Sequence, residues 1–156
     1  MEGLLADVAS SGLATAFRRS RWLYAAANTV HITGIALLVG AILPLDLRFM
    51  GLWKSIPRDA LVRVLVPVAA GGLAVAVAAG LLLFSVRAPE YAGHPVFQVK
   101  LVLITVGAAS AVVTHLVYGL WLPRAADALL AKVGALSMTC WLGALLAGRL
   151  IAFVDA

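Results

Sequence analysis

A single cysteine, Cys140, stands among 156 residues, so no disulfide can form within the chain. Its setting is apolar, and it reads as a small buried side chain rather than a reactive thiol. Charge is also scarce: Asp, Glu, Lys and Arg together make 12% of the residues, against about 25% in a typical soluble domain. Hydrophobic residues make 63%, and the mean hydropathy is +1.05. Too few polar side chains remain to coat a water-soluble surface, so the outer surface must be solvated by lipid. Short stretches of alternating polarity are missing too, which excludes a strand barrel. There is no phosphate-binding glycine loop, no Cys-x-x-Cys-His, no His-Glu-x-x-His and no nucleophile elbow. A stand-alone enzyme is therefore not indicated. The net charge is +5, yet there is no basic stripe on a soluble face, as nucleic-acid binding would require. The bases flank apolar runs instead, where they meet lipid headgroups.

What the chain does have is four long apolar runs, at about Trp22–Leu45, Leu61–Val86, Val96–Leu122 and Lys132–Val154. Each exceeds the roughly 20 residues a spanning helix needs. The expected fold is one all-α membrane domain over residues 1–156, a four-helix bundle lying in the lipid bilayer. The first span is expected to end near Pro44, Asp46 and Arg48. Residues 1–20 lack the positive start of a signal peptide. Leu4, Leu5, Val8, Leu13 and Phe17 approximate helical spacing, with Arg18, Arg19 and Arg21 after them. This predicts an interfacial amphipathic helix, followed by Trp22 and Tyr24 at the level of an aromatic belt. Flanking bases do not orient the bundle. Arg18, Arg19, Arg21, Arg87, Lys100 and Arg149 lie on the side of the termini, and Arg48, Lys54, Arg58, Arg63, Arg124 and Lys132 on the other.

Two of the three histidines interrupt apolar runs: His31 in the first and His115 in the third. An ionisable side chain at membrane depth is costly, which makes each a functional candidate, and imidazole is a common metal ligand. Asn28 and Gly34 share the helical face of His31, and Gly107 lies towards the side of His115. Asn28 is placed to hydrogen-bond the imidazole, and the glycines leave space for either a flat cofactor or a neighbouring helix. Either histidine can equally be a bundle residue bonded to a hydroxyl or carbonyl. His31 lies about 13 Å inward from Trp22, and His115 about 10 Å from the opposite face at Leu122. In a core of roughly 30 Å their heights then differ by about 7 Å. Lys100 and Arg149 lie near span ends, suited to snorkelling or to holding a propionate or quinone oxygen. His94, beside Glu90 in a loop, is either a solvated residue or part of a surface metal site. Met50, Met138 and Cys140 are soft ligands suited to copper, but they are scattered. In the fourth run Gly134, Ser137, Trp141, Ala144 and Gly148 recur at spacings of three and four. That seam suits packing inside the bundle, or a homo-oligomer contact.

The runs Trp22-Leu-Tyr24, His31-Ile-Thr-Gly34 and Asp46-Leu-Arg48-Phe-Met-Gly51, with Phe97-Gln-Val-Lys100, His115 and Trp141 through Phe153, resemble an uncharacterised bacterial family of four-span inner-membrane proteins. The resemblance covers nearly the whole chain and implies a multi-pass inner-membrane location without an assigned activity. More distantly, His31 with its glycines, and Tyr91, Gly93 and Lys100, are similar to the membrane domain of copper-resistance D proteins, of which this chain has half the spans. The leading functional expectation is a b-type cytochrome-like subunit. His31 and His115 would hold haem b, Asn28, Gly34 and Gly107 would shape the site, and Lys100 or Arg149 would neutralise propionates. It would pass electrons between a quinone pool and a redox partner. The alternatives are a copper-handling protein using His31, His94 and sulfur ligands, with His115 a further metal candidate, and a cofactor-free assembly subunit.

Overall fold

The computed structural model describes residues 2–154, and it is helical throughout, with no strand among them. Two short helices, α1 (Glu2–Ser10) and α2 (Gly12–Arg19), precede the long α3 (Arg21–Phe49) and α4 (Arg58–Val86). A single turn, α5 (Ala88–Gly93), leads into α6 (Pro95–Tyr118), and α7 (Asp127–Val154) completes the fold. The expected four-helix bundle is present: α3, α4, α6 and α7 are each long and apolar enough to cross a membrane. Their outward faces carry exposed large apolar residues, among them Leu37, Val64, Leu81, Val102, Leu116 and Leu146, as contact with lipid requires.

Local chemistry explains several boundaries. The N-terminal segment is two helices rather than one, because Ser11 caps α2 through its hydroxyl, which accepts the Ala14 N–H at 3.3 Å. Ser20 repeats the device for α3, accepting from Leu23. Pro44 does not end the first span. It lies inside α3, which runs on to Phe49, since membrane helices accommodate proline where neighbouring groups take up the freed carbonyl. The third span ends earlier than the hydropathy suggests, at Tyr118, because Gly119 turns the chain with φ of 89°.

The helices pack in the order α4, α3, α7, α6. α3 and α4 approach most closely. A Cβ on Gly34 would stand 2.5 Å from the Ala76 nitrogen, and one on Gly72 would stand 2.5 Å from the Leu38 nitrogen. The α3–α7 crossing is set by Gly134, where a Cβ would lie 3.0 Å from the Asp46 carbonyl oxygen. Gly107 of α6 seats Trp141 of α7, with Cε2 at 3.2 Å from the Cβ position. Small residues thus let backbones meet, the main route to close packing in lipid. The α7 seam is used inside the chain: Gly134, Trp141, Ala144 and Gly148 all face neighbouring helices or are buried.

No Cα of α4 comes within 8 Å of a Cα of α6. At the near end, which carries α1, α2 and α5, the gap is bridged by Phe84 and Phe97, stacked 5.5 Å apart, with Tyr91 beside both. At the far end, Leu122 and Ala125 of the α6–α7 connection pack with Leu45, Val62 and Leu130. Arginines lie over tryptophans at both ends, Arg21 over Trp22 and Arg63 over Trp121, matching the aromatic belts of two membrane interfaces.

Candidate functional site

His31 lies ten residues into α3, about 15 Å below the near end. Ala76 lies ten residues before the end of α4 and reaches the same level. The imidazole Nδ1 is 2.7 Å from the Ala76 carbonyl oxygen. A carbonyl only accepts, so Nδ1 carries the proton and Nε2 presents its lone pair. The ring is seated on Gly80 of α4. A Cβ there would stand 3.0 Å from the ring's Cε1 and 3.3 Å from Nδ1. Any larger residue at 80 would displace the imidazole.

Lys100 has a matching seat across the bundle. Its ammonium lies 3.3 Å from the position of a Gly148 Cβ, and the stem follows it at 3.5 and 3.8 Å. Instead of snorkelling to the interface, the side chain turns into the bundle against α7. Gly80 and Gly148 each lie six residues from the near end of their helices, about 9 Å below it. Two half-buried polar side chains, one an acceptor and one a donor, thus occupy glycine seats at similar depth.

No known protein family, curated protein or solved structure matches the chain. Its chemistry has to be read from these side chains.

The other sequence candidates fall elsewhere. His115 lies twenty residues into α6, about 30 Å from the near end. Its Nδ1 is 2.9 Å from the Leu120 carbonyl oxygen, in the turn beyond its own helix. The two histidines therefore differ in height by about 15 Å, twice the expected gap, because α6 ends at Tyr118. Metal–imidazole bonds are about 2 Å long, so two axial ligands on one iron must nearly face each other. A haem shared by His31 and His115 does not fit. Gly34 and Gly107 are filled by neighbouring helices, not by open space for a macrocycle. Asn28 is exposed, and the Ala76 carbonyl does the orienting expected of it. Arg149 is exposed and lies over the Phe153 ring at 4.7 Å. His94 caps α6, its Nδ1 accepting the Val96 N–H at 3.2 Å, while Glu90 pairs with Arg87 at 3.5 Å. Among the described residues no three His, Cys, Asp or Glu side chains converge on a metal position.

Asp46 is the polar residue whose setting the sequence misses. It is only 3% exposed and packed where α3 meets α7, against Gly134. Its Oδ2 is buried without a hydrogen-bond partner. A carboxyl group so placed destabilises the fold, because burying a charge or an unpaired acceptor is costly. Asp46→Asn, which keeps the shape and removes the charge, is expected to stabilise by about 1 kcal/mol, raising the melting temperature by about 2–4 °C. Thermal unfolding in detergent at neutral pH checks this, and a fall in melting temperature would refute it.

Proposed function

We propose that this protein is a multi-pass membrane subunit of the bacterial inner membrane that binds the head of a lipid-soluble quinone at His31 and Lys100 and presents it to a redox partner. The observation that carries the reading is the pair itself. A proton-bearing Nδ1 fixed on Ala76 leaves Nε2 as an acceptor, and the Lys100 ammonium is seated on Gly148 at similar depth. The acceptor takes a quinol hydroxyl, and the ammonium donates to a carbonyl oxygen of the oxidised quinone. A few polar groups in an apolar setting are the usual make-up of a small-molecule site. Helices α4 and α6 do not meet backbone to backbone, and a lipid-soluble molecule would enter between them.

The test is titration of the detergent-purified chain with a short-tailed ubiquinone or menaquinone analogue, followed by calorimetry. Wild type is expected to bind one equivalent. His31→Ala and Lys100→Met are each expected to weaken binding about tenfold or more, the loss of one charge-assisted or buried hydrogen bond. His115→Ala is expected to bind as wild type. Equal binding by all four proteins would overturn the reading.

A second reading rests on the same Nδ1–H···O=C contact, which is also how metal-bound imidazoles are oriented. In it, His31 alone holds a haem through Nε2. Reduced-minus-oxidised spectra after haem-replete expression distinguish the two: an absorption band lost in His31→Ala and kept in His115→Ala replaces quinone with haem. Copper gains no support from the positions of His94, Cys140 and the methionines. Absence of both ligands would leave an assembly role.

A further inference from the structure

At the near end a groove of about 1010 Å³ opens between α2, the start of α3 and the end of α4. Four arginines line it, Arg18, Arg19, Arg21 and Arg87, with Trp22, Tyr24 and Tyr91 among its walls. A second groove of about 360 Å³ runs along α3 and α4, lined by Leu23, Ala26, Val30, Val75, Ala78 and Leu82. Phe17 of α2 lines both, so the two adjoin. From Leu23 to Val30, and from Leu82 to Val75, the apolar part extends seven residues, about 10 Å, into the spanning region.

We infer that these adjoining grooves form one binding site for an anionic phospholipid, with the headgroup phosphate among the arginines and an acyl chain along the apolar groove. The division of chemistry argues for this occupant. Guanidinium groups recognise phosphate oxygens through paired donors, and basic pockets at membrane interfaces bind anionic headgroups. A soluble anion would have no use for the apolar extension, and a neutral lipid none for four positive charges. The roles within the cluster differ. Arg18 donates to the Val86 carbonyl at 3.2 Å and also to the Ala9 carbonyl, so it fastens α2 across the end of α4 and frames the groove. Arg19, Arg21 and Arg87 are exposed to meet the headgroup. The acid facing them is Glu90, which pairs with Arg87 at 3.5 Å, both side chains about two-thirds exposed. An exposed pair of this kind is weak and screened by salt, so it yields to a phosphate.

The experiment uses the full chain in a neutral maltoside detergent, with native mass spectrometry of lipids retained after adding equal dioleoyl phosphatidylglycerol and dioleoyl phosphatidylcholine. One phosphatidylglycerol per chain is expected, preferred by about tenfold or more, since each base near an anionic surface contributes about fivefold. A variant carrying Arg19→Gln, Arg21→Gln and Arg87→Gln, with Arg18 intact, is expected to lose the preference while its thermal unfolding stays unchanged. Ala78→Trp, which fills the apolar groove, is expected to weaken retention of the dioleoyl lipid about tenfold. Equal retention of phosphatidylcholine overturns the inference, as does a preference that survives the triple variant. Displacement of the lipid by an equal concentration of glycerol phosphate overturns it too, since the site would then be one for a soluble phosphate.

Discussion

Gly34→Leu is expected to leave no monodisperse protein in detergent, whereas Gly40→Leu, six residues further along the same helix, is expected to purify as wild type does. The difference lies in what each added side chain meets. At Gly34 a Cβ alone would approach the Ala76 nitrogen to 2.5 Å, the Gly72 oxygen to 2.8 Å and the Ala76 Cα to 2.9 Å. All three are backbone atoms of α4, and none can rotate away. At Gly40 nothing lies within 4 Å. Overpacking that flexible side chains can absorb costs about 1–3 kcal/mol. Here the two helices must part along their whole crossing, against a total stability of about 5–15 kcal/mol. The His31–Ala76 hydrogen bond lies at that crossing and would go with it. The partner helix supplies an internal control. Gly72→Leu should fail like Gly34→Leu, because its Cβ would meet the Leu38 nitrogen at 2.5 Å and the Gly34 oxygen at 2.8 Å. Its neighbour Gly71 has open space, and Gly71→Ala should be neutral or stabilising by up to about 1 kcal/mol, the usual helix-interior gain. Size-exclusion profiles and thermal unfolding of the four variants decide it, and a monodisperse Gly34→Leu with an unchanged melting temperature would refute the crossing.

The same glycines show what a sequence alone can and cannot specify. Four spans were legible because length and apolarity suffice to define a membrane helix, and Gly34 was legible as open space on the face of His31. Which object fills that space depends on the neighbouring helix, and periodicity within one helix carries no information about its neighbour. The filler is α4 backbone at Gly34, and Cys140 with Trp141 at Gly107. Conversely, nothing in its own run singles out Gly80, and Gly148 reads as part of a packing seam, yet they are the seats of His31 and Lys100. Each seat pairs a residue with one far along the chain. A single sequence leaves such pairs unconnected. The burial of Asp46 escaped for a similar reason: three residues from the end of α3 it has the position of a snorkelling residue, and only the close approach of Gly134 on α7 encloses it. Other misses had a local signal. Gly119 precedes Pro123 as a helix stop and shortens α6. Ser11 before Gly12 is a recognisable N-cap. Weighing these two signals above hydropathy places His115 at the far surface and divides the N-terminal segment correctly.

Arg58→Ala is expected to lower the melting temperature by about 6–12 °C, the effect of about 3 kcal/mol in a chain of this size. Arg58 opens α4 at the far end and holds the α6–α7 connection against it. One guanidinium nitrogen donates to the Ala125 carbonyl at 3.2 Å and to the Asp127 carboxylate at 2.8 Å, and the other donates to the Leu122 carbonyl at 3.1 Å. The two carbonyls carry most of the effect. Hydrogen bonds to a charged donor contribute about 1.5–3 kcal/mol each, and partly buried acceptors left unpaired add their own penalty. The ion pair carries little, since the Asp127 side chain is 93% exposed, so Asp127→Ala should change stability by less than about 1 kcal/mol. Arg58→Lys should recover only part of the loss, because a single ammonium does not reproduce the fork that reaches three acceptors. The connection also stores strain. Leu122 is buried at 1% exposure with φ of 56°, a backbone state a leucine holds only when its surroundings impose it. Without Arg58 that constraint relaxes, and limited proteolysis should begin to cut between residues 119 and 126. An Arg58→Ala protein that resists cleavage there and melts within about 2 °C of wild type would show that the apolar cluster of Leu45, Val62, Leu122 and Leu130 holds this end unaided. The expected result instead makes Arg58 the fastening that holds the α6–α7 connection to the start of α4.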